Sequence, residues 1–116
     1  MSVTLSQNQV LSIWQGAITE SVRADSPDLS ARQMAVLTTV YLTPMPHTVR
    51  GLAEKLNISK PAITRSLDRL SELGMVKRKP DENDRRSVNI QRTVKGSVYL
   101  HEFANMMIQA AAESEE

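Results

Sequence analysis

Cysteine is absent from all 116 residues, which excludes disulfide scaffolds, thiolate nucleophiles, zinc ribbons and iron–sulfur clusters. Aromatics make up only 3% of the chain, as Trp14, Tyr41, Tyr99 and Phe103. Stacking on the bases of single-stranded nucleic acid is therefore poorly supplied. The two histidines, His47 and His101, show no HExxH or paired ligand spacing, so no metal or other cofactor is expected. His47, beside two prolines, reads as an exposed loop residue and His101 as a structural one. No segment approaches the roughly 18 consecutive apolar residues of a membrane helix, and no basic-then-apolar leader opens the chain. A cytoplasmic protein without membrane contact is expected. Paired carboxylates, a Ser-His-Asp set, a P-loop and a dinucleotide fingerprint are all missing, so the expectation is a non-enzyme.

What remains is a chain that is 41% hydrophobic and 23% charged, a balance typical of a folded globular protein. Its length suits one domain over 1–116 with a single core. The net charge of +1 hides a strong asymmetry. Residues 47–95 carry twelve Lys+Arg against six acids, whereas the rest of the chain carries two against seven. A basic middle between acidic ends points to a module that meets a polyanion.

Apolar periodicity divides the chain. Val10, Leu11, Trp14, Ala17, Ile18 and Val22 recur at three- and four-residue steps, predicting a helix over 7–24. Ser30 and Gln33 form a capping box for a helix bearing Met34, Val36, Leu37, Val40 and Tyr41, which ends at Thr43-Pro44-Met45-Pro46. Thr48 is the N-cap of a short helix carrying Leu52, Ala53 and Leu56. Asn57 closes it in a left-handed conformation, and Ile58 plugs the corner. Ser59 then caps a second helix with Pro61 in its first turn and an inner stripe of Ile63, Leu67, Leu70 and Leu73. Gly74 stops that helix in a Schellman ending that folds Met75 back on Leu70.

Beyond Gly74 the period changes to two. Residues 76–80 and 87–92 read as paired strands around an apolar-free loop, 80–86. Thr93 caps a last helix over 93–112, whose apolar residues wrap too much of its circumference for one small partner surface.

Two helices joined by a three-residue turn and followed by a basic hairpin make a winged helix-turn-helix. The fold expected is mainly α with a small β wing, occupying 29–92 between two end helices. With the inner stripe of the second helix buried, Lys60, Pro61, Thr64, Arg65 and Asp68 must face outward. Its N-terminal dipole adds positive potential there. Lys77, Arg78, Lys79, Arg85 and Arg86 crowd one small hairpin and would repel each other without an anion, although Asp81, Glu82 and Asp84 offset them in part. The candidate DNA-contacting set is Thr48, Ser59, Lys60, Pro61, Thr64, Arg65, Arg69, Lys79, Asp84, Arg85 and Arg86. Asp84 is expected to pair with Arg86 and hold it extended.

Residues 30–96 resemble the MarR family of bacterial transcriptional regulators. The resemblance is carried by LSARQMAVL, by TVRGLAEKLNISKPAITRSLDRLSELGMVKR and by the wing signature PDENDRRSVNIQRTVKG. It implies a homodimer on a pseudo-palindromic site of double-stranded DNA, with the second helix in the major groove and the wing arginine in the minor groove. The family's Asp-x-Arg falls on Asp84 and Arg86. The chain departs from the pattern at Arg92, where the family usually has an apolar residue. Members usually dimerise through a further C-terminal helix, and none is expected within these 116 residues. The apolar surface left for a dimer is Trp14, Ile18, Val22, Leu100, Phe103, Met107 and Ile108. The same side chains could instead pack the first helix on the last within one chain. No residue set specifies a small-molecule effector. A different class of function also fits: a winged-helix adaptor whose apolar end helices bind another protein, with weak or no DNA contact.

Overall fold

A computed structural model describes residues 4–84 and 86–114. The order is α1 (Gln7–Arg23), α2 (Ala31–Leu42), α3 (Val49–Leu56), α4 (Lys60–Glu72), β1 (Val76–Pro80), β2 (Val88–Arg92) and α5 (Val94–Ser114). The fold is mainly helical with a two-stranded antiparallel wing, as the sequence pattern required. Contacts divide it into two units, Leu29–Tyr99 and Met1–Asp28 with Leu100–Glu116. Among the described residues, no helix is long and apolar enough to cross a membrane.

The Leu29–Tyr99 unit has one core. Val36, Leu37 and Val40 of α2, Leu52 of α3, Ile63, Leu67 and Leu70 of α4, and Met75, Val76 and Ile90 of the wing are all buried. Local signals set the boundaries. Ser30 and Gln33 complete a reciprocal capping box on α2. Thr48 accepts the Gly51 N–H at 3.0 Å, and Ser59 accepts the Ala62 N–H at 3.2 Å. Asn57 closes α3 at φ 53° and ψ 46°, the left-handed region that asparagine tolerates. After Leu73, Gly74 takes φ 73° and donates to the Ser71 carbonyl, while Met75 donates to Leu70. Those two bonds are the Schellman pattern, and they hand the chain from α4 directly into β1. Leu73 itself is only half-buried.

The wing pairs Val76 with Arg92, Arg78 with Ile90 and Pro80 with Val88. Ser87, expected in the second strand, instead closes the loop: its N–H meets the Asp84 carbonyl and its carbonyl accepts from Asp81. His47 is a correction. Far from being exposed, it is 6% accessible. Its carbonyl accepts the Ile90 N–H at 2.8 Å, and its ring Nε2 lies 3.2 Å from the Thr43 carbonyl. A backbone bond to the inner wing strand draws the segment into the core, and the proline-rich sequence gave no hint of that pairing.

Arg92 shows what stands in for an apolar closure. Its Nε donates to the Val40 carbonyl at 2.8 Å and its Nη2 to the Thr43 carbonyl at 2.9 Å, with the guanidinium 6.0 Å from the Tyr41 ring centroid. A cation therefore satisfies carbonyls that the end of α2 leaves open.

In the other unit, Ala17 and Ala110 are buried. A Cβ on Gly16 would come within 2.8 Å of the Ala110 Cβ, so α1 and α5 meet there at close range. Trp14 and Phe103 make an edge-to-face contact at 6.3 Å. Much apolar surface is left over: Leu11 is 62% exposed, Val22 65% and Ile108 67%.

Candidate nucleic-acid interface

Burial of Ile63, Leu67 and Leu70 turns the opposite side of α4 outward. Pro61, Thr64, Arg65 and Asp68 follow each other at helical spacing there and are all exposed. Lys60 is the first residue of α4, and no acidic residue lies in that first turn. A lysine at a helix N-terminus adds to the positive pole instead of offsetting it, an arrangement that favours an anion.

Lys60 also borders a cleft of about 500 Å³ between the helix-turn-helix and the wing. Thr48 and Arg50 line it from the start of α3, and Asp84, Arg86 and Ser87 from the wing loop. Four positions marked in the sequence, Thr48, Lys60, Asp84 and Arg86, thus converge from three separate segments. Arg50 and Ser87 were missed. Arg50 lies two residues after an N-cap, and that position in a short basic-flanked helix is the signal that would have found it.

The remaining candidates are more dispersed. Ser59 is exposed beside Lys60 as the cap of α4. Arg69 lies 3.7 Å from Glu72 on its own helix. Lys79 is exposed on β1 opposite Asn89. Arg85 lies outside the described residues. Asp84 engages Arg86 differently from expectation. Its Oδ1 accepts the Arg86 backbone N–H at 3.1 Å, because a spacing of two residues suits an Asx turn. The carboxylate shapes the loop that presents Arg86.

The sequence model of the MarR family matches residues 29–88, just over half of the chain. The chain belongs to the MarR family. Among MarR-family relatives, the HTH-type transcriptional regulator PecS of Dickeya dadantii (strain 3937) is 35% identical over 89 residues. That match covers 75% of this chain and 51% of PecS, so the chain spans about half the length of this relative. The transcriptional regulator Tm0710 of Thermotoga maritima shares the fold at a TM-score of 0.76 and 20% identity, over 92% of this chain and 72% of that one. A mutant MarR of E. coli, solved in complex with operator DNA, superposes at a TM-score of 0.68 with 25% identity. It matches 92% of this MarR-family chain and 71% of its own.

Proposed function

We propose that this chain is a sequence-specific double-stranded DNA-binding transcriptional regulator of the cytoplasm, working as a homodimer with α4 in the major groove and the wing in the minor groove. The observation that carries the proposal is the cleft where Lys60, Arg50 and Arg86 meet beside the N-terminus of α4. The likeness to a MarR protein solved on operator DNA supports it. In this reading Arg65, exposed one turn into α4, offers a bidentate fork to a guanine edge. Arg86, on a narrow loop, reads the width and negative potential of the minor groove. Thr48, Ser59, Lys60 and Lys79 serve the phosphates, and Pro61 and Thr64 border the base edges. A gel shift with duplexes flanking the chain's own coding region, at two salt concentrations, tests the proposal. A specific band supports it. No specific band at either salt, with a copurifying protein instead, favours the adaptor.

The dimer is proposed to form through Trp14, Ile18, Val22, Leu100, Phe103, Met107 and Ile108. The support is the exposed apolar side chains on α1 and α5, Trp14, Ile18, Val22 and Ile108 among them. Light scattering at micromolar concentration is expected to give twice the chain mass. A monomeric mass would refute it.

The Asx turn at Asp84 makes a second expectation sharp. Counting charges, both Asp84→Ala and Asp84→Asn should tighten binding to a polyanion, since each removes one negative charge. If the turn matters more, Asp84→Ala weakens binding severalfold because Arg86 loses its fixed presentation, whereas Asp84→Asn keeps an acceptor for the Arg86 N–H. Opposite signs for the two variants in anisotropy titrations are the expected result. Tighter binding by both would reduce the wing to a basic patch.

A further inference from the structure

Asp68 stands on the same outward row of α4 as Pro61, Thr64 and Arg65, an odd place for a carboxylate on a face offered to a polyanion. Its Oδ1 accepts from Arg78 Nη2 at 2.7 Å, a charge-assisted bond between α4 and β1. The two side chains are 54% and 33% exposed respectively, so the pair adds little to folding. Its position is more informative than its strength. Helix α4 and strand β1 are joined at the base of the wing, by the Schellman turn in which Met75 bonds Leu70 across Gly74 and by burial of Val76 and Ile90 in the core. Beyond Val76 every residue of β1 is exposed, so the core grips the strand at its base and not along its outer part. A second tie ten residues along the chain from Asp68 fixes the angle as well. The strand position it holds is also firm, because Arg78 is paired with Ile90, whose N–H is bonded to the His47 carbonyl.

We infer that Asp68 and Arg78 are positioning residues that set the angle between α4 and the wing, and with it the ability to tell one DNA sequence from another. The inference rests on the DNA-binding reading above. Reading two grooves at once requires α4 and the wing to stand at one fixed angle. Attraction to phosphate makes no such demand. Loss of the tie therefore lowers discrimination while non-specific affinity follows only the change in charge. In Asp68→Asn non-specific affinity rises slightly, since the released Arg78 becomes one more cation for the backbone.

The test uses the full chain. Wild type first selects duplexes from a randomised library. Affinities for a selected duplex and for an unrelated one of equal length are then measured by anisotropy for wild type, Asp68→Asn, Arg78→Gln, the double variant and Asp68→Glu. The expected result is a loss of about tenfold in the ratio of the two affinities for each single variant. The double variant falls no further, because one interaction is lost in all three. Asp68→Glu regains part of the ratio, and melting temperatures stay at the wild-type value. An unchanged ratio in Asp68→Asn, or single losses that multiply in the double variant, overturns the inference while leaving DNA binding in place. Failure of wild type to select any duplex overturns the DNA reading, and this inference with it.

Discussion

Gly96→Ala is expected to cost about 3 kcal/mol or more of folding stability, against a helix-propensity argument that gives the opposite sign. On propensity alone, alanine in a helix is favoured over glycine by about 1 kcal/mol. Gly96, however, sits in the first turn of α5 at a crowded point. A Cβ there would collide with the Tyr41 hydroxyl and the Met75 carbonyl. Neither neighbour can move cheaply. The Met75 carbonyl belongs to the residue that closes the α4 turn. The Tyr41 oxygen accepts the Thr93 N–H at 2.8 Å and lies 2.7 Å from the Met75 oxygen. Overpacking costs about 1–3 kcal/mol, and each hydrogen-bonding group left buried and unpaired adds about as much. Denaturant unfolding of both forms measures the difference. In a Tyr41→Phe background one of the two obstructing oxygens is gone while the Met75 carbonyl remains, so the cost of Gly96→Ala should shrink without vanishing. Equal stability of Gly96→Ala and wild type would show that the close approach does not exist.

This crowded point also explains the Thr-x-x-Gly at the end of the wing signature. Thr93 Oγ1 accepts the Gly96 N–H at 3.0 Å and donates to the Gly74 carbonyl at 2.7 Å. One side chain thus starts α5 and ties it to the end of α4. The sequence showed the cap, because a threonine before an apolar helix is a local signal. It could not show why the glycine is needed, since the colliding hydroxyl comes from Tyr41, more than fifty positions earlier.

The same division runs through the molecule. Caps, the left-handed Asn57, the Gly74 stop and the alternating strands all follow from a few neighbouring residues, and all were legible. The inner stripe of α4 was legible too, which is why its outer row could be named in advance. What escaped were contacts between distant segments. His47 is buried by a backbone bond to Ile90, and Arg92 replaces an apolar closure by reaching the end of α2. The tie from Asp68 to Arg78 looked like two unrelated surface charges. For Asp84, the partner was right and the atom was wrong, because a short Asx turn competes well against a long flexible guanidinium.

The second large effect is on salt. Of the cations on the basic face, Arg78 is engaged by Asp68, Arg69 lies near Glu72, and Arg50 lies 3.6 Å from Glu54. Among the described residues, Lys60, Arg65, Lys79 and Arg86 have no such carboxylate; with Arg65 given to a base edge, Lys60, Lys79 and Arg86 are available to neutralise phosphate charge. Three per subunit in a dimer make about six contacts, and releasing the counterions they displace gives a log–log slope on the order of −5. Between 50 and 200 mM salt the affinity would then fall by roughly a thousandfold. Lys60→Gln should flatten the slope by about two, one for each subunit, and affect all duplexes alike. Anisotropy titrations over a salt series measure both numbers. A wild-type slope shallower than about −2 would mean that some other surface meets the DNA. A slope that Lys60→Gln leaves unchanged would remove the α4 N-terminus from the interface, even if the protein still bound.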